Sequence, residues 1–228
     1  MTLQPKQLSL DTERHIQLLE QVVFSTGEEG LRVWESGIVM SRYILRNVDE
    51  FKGKVVVELG SGTGIAGLTL LKYSEAAHVH FTDYTEQIAE VLQKNIAMQT
   101  IKTSKVNVGL VDWTKPETWE SLLGLEKIDR VIATDVVYDG SPYGDLAKLF
   151  HAIKKRHPQC EINVMLPLER KKGQDFKDKM EGQGFKHSVE TLSDEYYRQP
   201  ALPKAKESEK YYPGLSALTF HLYKFELI

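Results

Sequence analysis

The residues best suited to hold a nucleotide-like ligand lie between positions 58 and 64. Glu58 ends an apolar, β-branched run and is followed by glycines at every second position, Gly60, Gly62 and Gly64. A strand that turns through glycines into a helix lets the backbone approach a ligand and offers free N–H groups at the helix N-terminus. The acid before the first glycine suits a ligand with a free amino group better than a pyrophosphate.

Two cofactors are compatible with this turn. Gly62, Gly64 and Gly67 satisfy the dinucleotide pattern G-x-G-x-x-G, which is a weak signal by itself. The alternating pattern from Glu58 through Gly60 fits S-adenosylmethionine better. The acid would accept a hydrogen bond from the methionine ammonium, directly or through water, while the glycine turn passes beneath the methionine and ribose. A tight turn without a ligand is a third interpretation, but it needs fewer glycines.

Acidic residues after the next two strands also suit a nucleoside. Asp83 lies about twenty residues after the glycine loop, where a carboxylate can take both ribose hydroxyls of either cofactor. Its alternative role is a helix N-cap, which Thr85 could fill instead. Asp112 and Trp113 follow the third strand, so the carboxylate could accept from an adenine amino group while the indole stacks beside the ring. The alternative for Trp113 is a core position.

Asp135 and Tyr138 leave the fourth strand at its carboxyl end, where open α/β sheets hold their reacting atoms. A carboxylate can orient an amine, and an aromatic wall tolerates a cation or a methylated amine. The alternative is a strand-end turn with Tyr138 in the core. The seven histidines show no metal-ligand spacing, and no nucleophile elbow is present, so we expect no metal.

The elements that must position these residues alternate between strand and helix from Lys54 onward, which predicts an α/β fold. We expect a Rossmann-like, seven-stranded, mostly parallel sheet with helices on both faces and a C-terminal antiparallel hairpin. The expected strands are Lys54–Leu59, His78–Asp83, Val106–Val111, Asp129–Asp135, Cys160–Met165, Phe185–Glu190 and Leu218–Phe225. The expected helices between them begin at Ala66, Glu86, Asp145 and Asp175.

We expect a single domain over residues 1–228, with a seven-strand core at 51–228 and an N-terminal extension at 1–50. In the extension, Glu35–Arg46 predicts a helix on the edge of the sheet, while Arg14–Phe24 is ambiguous between helix and strand. Residues 193–216 are predicted to form an ordered insertion or a lid. That segment carries four tyrosines that are costly to leave in water, namely Tyr196, Tyr197, Tyr211 and Tyr212.

Composition narrows the class of protein. Hydrophobic residues make up 41% and charged residues 27%, an ordinary globular balance. A net charge of −3 gives no reason to expect a nucleic-acid partner. The single cysteine, Cys160, excludes an internal disulfide and fits a reducing compartment. We see no signal peptide or membrane span, so we expect a cytoplasmic protein, with the nucleus as the alternative, and a monomer by default.

These motifs together resemble the seven-β-strand methyltransferases that use S-adenosylmethionine. The D-x-x-Y form of Asp135 to Tyr138 is similar to the protein-lysine branch of that superfamily. Residues 27–37, which read GEEGLRVWESG, are similar to the G-x-x-G-L-x-x-W-x-A segment of that branch, with Ser36 and Gly37 in place of the usual small apolar pair. The sequence looks closest to the members that methylate a lysine of translation elongation factor 2.

The resemblance covers residues 27–166 and implies a methyltransferase that acts on a lysine of a protein substrate, possibly a translation factor. It places Trp34 at the methionine end of the cofactor and Glu58, Gly60 and Gly62 along the methionine and ribose. It places Asp83 at the ribose, Asp112 with Trp113 at the adenine, and Asp135 with Tyr138 at the target side chain. Gly64 and Ala133 complete the implied cofactor-binding set. A small-molecule acceptor, a dinucleotide-dependent oxidoreductase and a non-catalytic binding module remain as alternatives.

Overall fold

The computed structural model describes residues 2–21, 29–102, 105–193, 197 and 212–228. A seven-stranded sheet forms its centre. The strands are β3 (Val55–Leu59), β4 (His78–Asp83), β5 (Lys105–Leu110), β6 (Arg130–Thr134), β7 (Glu161–Pro167), β8 (Phe185–Leu192) and β9 (Phe220–Leu227). Their order is β5-β4-β3-β6-β7-β9-β8, with the first five parallel and β9 antiparallel to both of its neighbours. The predicted fold class is therefore confirmed.

The seven predicted strands are all present, with ends that differ by a few residues. The final pair forms the expected antiparallel hairpin, and β9 is inserted between β7 and β8. The helices are α1 (Glu35–Arg46), α2 (Ile65–Tyr73), α3 (Glu86–Ala97), α4 (Glu120–Leu123), α5 (Tyr143–Arg156), α6 (Gly173–Gly182) and α7 (Gly214–Ala217). In the part of the chain that the structure describes, no helix is long and apolar enough to cross a membrane.

Two apolar layers cover the two faces of the sheet. Within β3, Val56 faces one layer and Val57 the other, as the two-residue period of a strand requires. The first layer contains α1, α2 and α3, and the second contains α5 and α6. Because both faces are covered, β3 and β6 are buried along nearly their whole length and read as continuous apolar runs.

An N-terminal hairpin lies outside the main sheet. Strands β1 (Leu3–Ser9) and β2 (His15–Gln21) pair antiparallel and pack on α2 and α3. The ambiguous segment Arg14–Phe24 is thus a strand over its described part. Residues 22–28 lie outside the described residues. The sequence carries no clear signal for β1, because this strand has few apolar residues and they do not alternate with polar ones.

Helix α1 has the predicted bounds, but its predicted place on the sheet edge is wrong. It packs against β6, β7 and α2, and nearly all of its residues are buried. Helix α7 also contacts it, and the turn of the hairpin reaches it at Leu10, so this helix behaves as a core element. Arg42 is only 1% exposed and donates from Nε to the Leu10 carbonyl and from Nη1 to the Tyr197 carbonyl, each at 3.0 Å.

The predicted insertion at 193–216 is described only at its two ends. Tyr197 packs at 6.3 Å from the Tyr43 ring, and Tyr212 is 2% exposed. Tyr196 and Tyr211 lie outside the described residues. The backbone N–H of Gly214 donates to a Glu35 carboxylate oxygen at 3.2 Å, so the segment returns to the sheet beside the start of α1.

The contribution of buried His80 to stability should fall in weak acid. It is 5% exposed, and burial together with the nearby His78 ring lowers its pKa to about 4. Above pH 6.5 the ring is neutral in both states. Between pH 6.5 and 4 the unfolded chain binds a proton that the folded chain does not, so the His80 contribution to the free energy of unfolding drops by roughly 3 kcal/mol.

Urea unfolding between pH 7 and 4 measures this loss. Because the other titrating groups are common to both proteins, the difference in unfolding free energy between the wild type and His80→Gln should change by this amount between pH 6.5 and 4. His187→Gln serves as the control and should keep the slope. An unchanged slope in His80→Gln would assign the acid sensitivity to other groups.

Candidate functional site

A cavity of about 480 Å³ opens at the carboxyl ends of the parallel strands. The turn after β3, the ends of β4, β5 and β6, and the segment before α1 form its walls. Eight of the eleven residues predicted from the sequence line it: Trp34, Gly60, Gly62, Asp83, Asp112, Trp113, Asp135 and Tyr138. The fold therefore brings residues as far apart in the sequence as Trp34 and Tyr138 to one opening, as open parallel sheets do.

The glycine turn after β3 is built for close approach. Gly60 and Gly62 have φ values of +66° and +54°, in the left-handed region that favours glycine. A Cβ atom on Gly62 would lie 2.7 Å from the carbonyl oxygen of Gly30. The residues before α1 thus run directly over the turn, and a side chain at Gly62 would force the two segments apart.

Asp83 is held at the edge of this turn. Its Oδ2 accepts from the Gly62 N–H and its Oδ1 from the Tyr84 N–H, both at 2.8 Å. Burial raises the pKa of this carboxyl, and the two backbone bonds oppose that shift in part. Thr85 caps α3 by accepting from the Ile88 N–H at 3.2 Å, so Asp83 is not the cap.

Asp112 and Trp113 follow β5, the strand that pairs with β4 and lies next to Asp83. Asp112 accepts from the Thr114 N–H at 3.0 Å and pairs with Lys115 Nζ at 2.9 Å. Burial would raise the pKa of Asp112, but the bonds from Thr114 and Lys115 outweigh it and the net shift is downward. The Trp113 ring packs against Gly60, where a Cβ would meet it at 3.1 Å.

Three predicted cofactor residues do not line the cavity. Gly64 caps α2 with a φ of +83°, and Ala133 is buried inside β6. Glu58 is 2% exposed and lies behind the turn, where its Oε2 accepts from the Gly67 N–H at 3.3 Å. Burial raises the pKa of Glu58 to about 8, although bonds from Ser61 and Gly67 oppose the shift. At neutral pH this carboxyl is therefore largely protonated.

Asp135 is fixed by two other elements. Its Oδ1 forms an ion pair with Arg170, and its Oδ2 accepts from the Ser36 N–H at 3.2 Å at the start of α1. It also has a φ of +55°, the one positive value among the described non-glycine residues. Such a conformation costs free energy that the surrounding contacts must supply. The carboxylate is thus held in one position at the cavity wall.

The mouth of the cavity is aromatic. Tyr138 is 41% exposed and Tyr84 is 56% exposed, and both line the opening. Tyr138 is therefore not the core residue of the alternative interpretation. A hydrogen bond from its N–H to Ser141 Oγ at 3.0 Å holds the turn that carries it.

Sequence reasoning missed Arg170 and Gly30. Arg170 follows β7 in a loop without periodicity, so its pairing with Asp135 depends on the order of strands β6 and β7 in the sheet. Gly30 belongs to the motif before α1, but its contact with Gly62 could not be read from spacing. Within the described residues no group of three or more His, Cys, Asp or Glu could hold a metal ion.

The cavity fits an adenosine bearing an amino-acid tail. The glycine turn forms a cradle, by which we mean the space beside Gly60 and Gly62 that a Cβ would fill. Asp83 lies next to this cradle, where it can accept hydrogen bonds from hydroxyls. Trp113 offers a flat apolar surface next to Asp112, as an adenine needs. No basic cluster marks a pyrophosphate position among these residues, where Arg32 and Arg170 are the cavity's two cationic side chains.

Comparison with known proteins gives a consistent family. A family model described as lysine methyltransferase matches residues 11–183. The protein-lysine N-methyltransferase EFM3 of Chaetomium thermophilum is 31% identical over 159 residues, which cover 66% of this chain and 46% of that protein. The mouse protein-lysine N-methyltransferase EEF2KMT is 30% identical over 126 residues, covering 51% of this chain and 37% of that protein. The chain thus spans less than half the length of these relatives.

A solved structure supports the fold at lower identity. Magnesium protoporphyrin IX methyltransferase from Synechocystis PCC 6803 with bound SAM has a TM-score of 0.52 and 16% identity. The match covers 90% of this chain and 86% of that chain. At this identity the likeness concerns the arrangement of the sheet and helices.

Proposed function

The chain belongs to the lysine methyltransferase family, and we propose that it transfers a methyl group from S-adenosylmethionine to a lysine amine of another protein. One observation carries the proposal. The Asp135 carboxylate lies in the same cavity as the glycine cradle, while Tyr138 stands half-exposed at its mouth. A long, thin side chain that ends in an amine fits a path from the mouth to that carboxylate.

We assign the cofactor by the chemistry of the walls. Asp83 would accept from the ribose hydroxyls, and Asp112 with Trp113 would hold the adenine. Gly60 and Gly62 would lie under the ribose and methionine, with Trp34 at the methionine end. Glu58 would interact with the methionine ammonium indirectly, from behind the turn, through hydrogen bonds that pass by way of Ser61, Gly67 or a water. Gly64 and Ala133 support the turn and the strand rather than touching the ligand.

The main requirement of the reaction is that the protein aligns the acceptor nitrogen, the methyl carbon and the sulfur. The cofactor supplies an electrophilic methyl group on sulfur. The acceptor nitrogen forms the new N–C bond as the C–S bond breaks, with its electrons going to sulfur and the amine proton to solvent. Asp135 orients the amine, and the Tyr138 ring forms one side of the path by which the amine enters. Holding the reactants in line supplies a large part of the reduction in barrier.

The acceptor amine must lose its proton before it can attack. A free lysine has a pKa of about 10.4. Partial burial beside Tyr138 and Trp34 would lower it, since desolvation disfavours the ammonium. The ion pair with Arg170 compensates part of the negative charge of Asp135, so the amine meets a carboxylate whose charge is already partly balanced. The site therefore accepts the neutral amine at less cost.

The acceptor protein is proposed from the sequence resemblance, which makes translation elongation factor 2 the first protein to test. A cytoplasmic location would suit that acceptor, and the nucleus is the alternative. The single cysteine, Cys160, is buried and fits a reducing compartment. A small-molecule acceptor and a non-catalytic binding role are the competing outcomes of the experiment below.

The test is methyl transfer from labelled S-adenosylmethionine into a cell extract, resolved by protein size, with Asp135→Ala as the matched control. We expect one labelled protein band that is absent with the variant, and mass spectrometry should place the methyl group on a lysine. Cofactor binding without any labelled protein would contradict the proposal. Label in small molecules would then indicate the first competing function, and no label at all the second.

Gly62→Ala should weaken cofactor binding. The new methyl group would meet the Gly30 carbonyl oxygen at 2.7 Å and would sit at a φ of +54°. We expect about 1–2 kcal/mol lower stability from the backbone alone, and at least tenfold weaker binding of S-adenosylhomocysteine by calorimetry. Gly173→Ala is the control, because its Cβ meets nothing within 4 Å. Equal binding by the two variants would contradict the placement of the cofactor over Gly62.

A further inference from the structure

One face of α3 supports the cavity from behind. We name the glycine turn at residues 60–63 the floor and residues 30–34 the roof. Ile88, Leu92 and Asn95 are spaced by four and three residues, so they share a face. Ile88 Cδ1 lies 2.6 Å from where a Gly30 Cβ would be, and Leu92 packs at Gly64 in the same way. Asn95 Nδ2 donates to the Thr63 carbonyl at 2.9 Å.

Asn95 also binds the N-terminal hairpin. Its Oδ1 accepts from the Leu19 N–H at 2.6 Å, and its Nδ2 donates to the Leu19 carbonyl at 3.3 Å. The side chain is fully buried. A buried amide needs partners for both its oxygen and its nitrogen, and here they come from β2 and from the floor. Asn95 therefore ties the hairpin to the floor.

The next residue of β2 binds the roof. Glu20 is 7% exposed, and its Oε2 accepts from the Val33 N–H at 3.3 Å. Lys6 Nζ at 2.5 Å compensates its charge, and the Tyr212 hydroxyl donates to it at 3.2 Å. Val33 lies between Arg32 and Trp34, which both line the cavity. Adjacent residues of one strand thus hold the floor and the roof.

We propose that β2 sets the spacing between the roof and the floor, and that Asn95 and Glu20 are positioning residues for S-adenosylmethionine. Neither side chain lines the cavity. They act through Thr63 on one side and Val33 on the other. The inference rests on the cofactor part of the proposed function and is independent of the acceptor.

Calorimetric titration with S-adenosylhomocysteine tests both positions. We expect Asn95→Ala to bind at least tenfold more weakly. Gln99→Ala is the matched control. Gln99 lies two residues beyond α3, and its Nε2 donates both to the Asn95 carbonyl of that helix at 2.9 Å and to the Gln17 carbonyl of β2 at 2.5 Å, without lining the cavity. Its affinity should stay within twofold. Glu20→Gln, which keeps an acceptor for the Val33 N–H, should bind within threefold, and Glu20→Ala at least tenfold more weakly.

Hydrogen exchange on the unmodified protein supplies a test that needs no variant to fold. Adding S-adenosylhomocysteine should slow hydrogen exchange in β2, residues 15–21. Exchange should stay unchanged in β8, residues 185–192, which is the edge strand of the main sheet farthest from β4 and β5. Binding without added protection of β2, or equal affinities of Asn95→Ala and Gln99→Ala, would overturn the inference alone. No binding by the wild-type protein would overturn the proposed cofactor and the inference together.

Discussion

Replacing Asp135 by asparagine is expected to lower methyl transfer by about 10²- to 10³-fold while binding of S-adenosylhomocysteine stays within threefold. Asparagine retains an oxygen for the Ser36 N–H, so the start of α1 keeps its contact. It loses the negative charge that meets the acceptor amine and that pairs with Arg170. Because the assigned cofactor residues lie on other strand ends, the loss should appear in the transfer rate.

A control and a double variant separate chemistry from folding. Asp139→Asn removes an exposed acid four residues along the chain and should transfer at the wild-type rate. Asp135→Asn leaves a mostly buried guanidinium without its partner, which we expect to cost about 2 kcal/mol of stability. Adding Arg170→Gln should restore much of that stability and none of the transfer. Recovered transfer in the double variant would show that Asp135 matters for folding only.

The sequence was sufficient to predict the main sheet because its strands carry local signals. Val55–Leu59 is apolar and β-branched over its whole length, as a strand buried on both faces must be. The carboxyl ends of parallel strands then meet at one edge, so Asp83, Asp112 and Asp135 could be expected together. The final hairpin followed from two strand patterns without a long helix between them.

Other features depend on contacts that leave no local pattern. Helix α1 was expected on the edge of the sheet, but it is buried, and so are polar residues within it such as Ser36 and Ser41. Ser41 satisfies its hydroxyl on the Gly37 and Ile65 carbonyls, at 2.8 and 3.2 Å. Likewise, the positions of Arg170 and Asn95 follow from the packing of distant segments. Spacing rules describe one element at a time and cannot supply such pairs.

Glu58→Gln is expected to make the ligand-free protein more stable than the wild type, by an amount that grows as the pH rises. The carboxyl has a pKa of about 8 when folded, raised by burial, against an ordinary value of 4.5. Below pH 4.5 both states are protonated and the substitution gains nothing. Between pH 4.5 and 8 the unfolded chain releases a proton that the folded chain keeps, so the wild type loses stability as pH rises. The variant's advantage should grow by roughly 4 kcal/mol across that range.

The same substitution should weaken S-adenosylhomocysteine binding by tenfold or more. A cationic ammonium beside Glu58 would favour its ionised form, so binding to the wild type should release protons near neutral pH, and glutamine cannot do this. Urea unfolding at pH 4.5, 6 and 8 measures the stability arm. Calorimetry in buffers of different ionisation enthalpy measures the proton release. Glu90→Gln, the same substitution at an exposed site on α3, is the charge-matched control for the titrations.

The two arms have different meanings. A gain in stability with unchanged affinity would make Glu58 a support for the turn through Ser61 and Gly67. Loss of affinity with no gain in stability would mean that the carboxyl is already ionised in the free protein. The expected pair of results, higher stability with lower affinity, follows because a buried acid that must ionise to hold its ligand destabilises the protein until that ligand arrives.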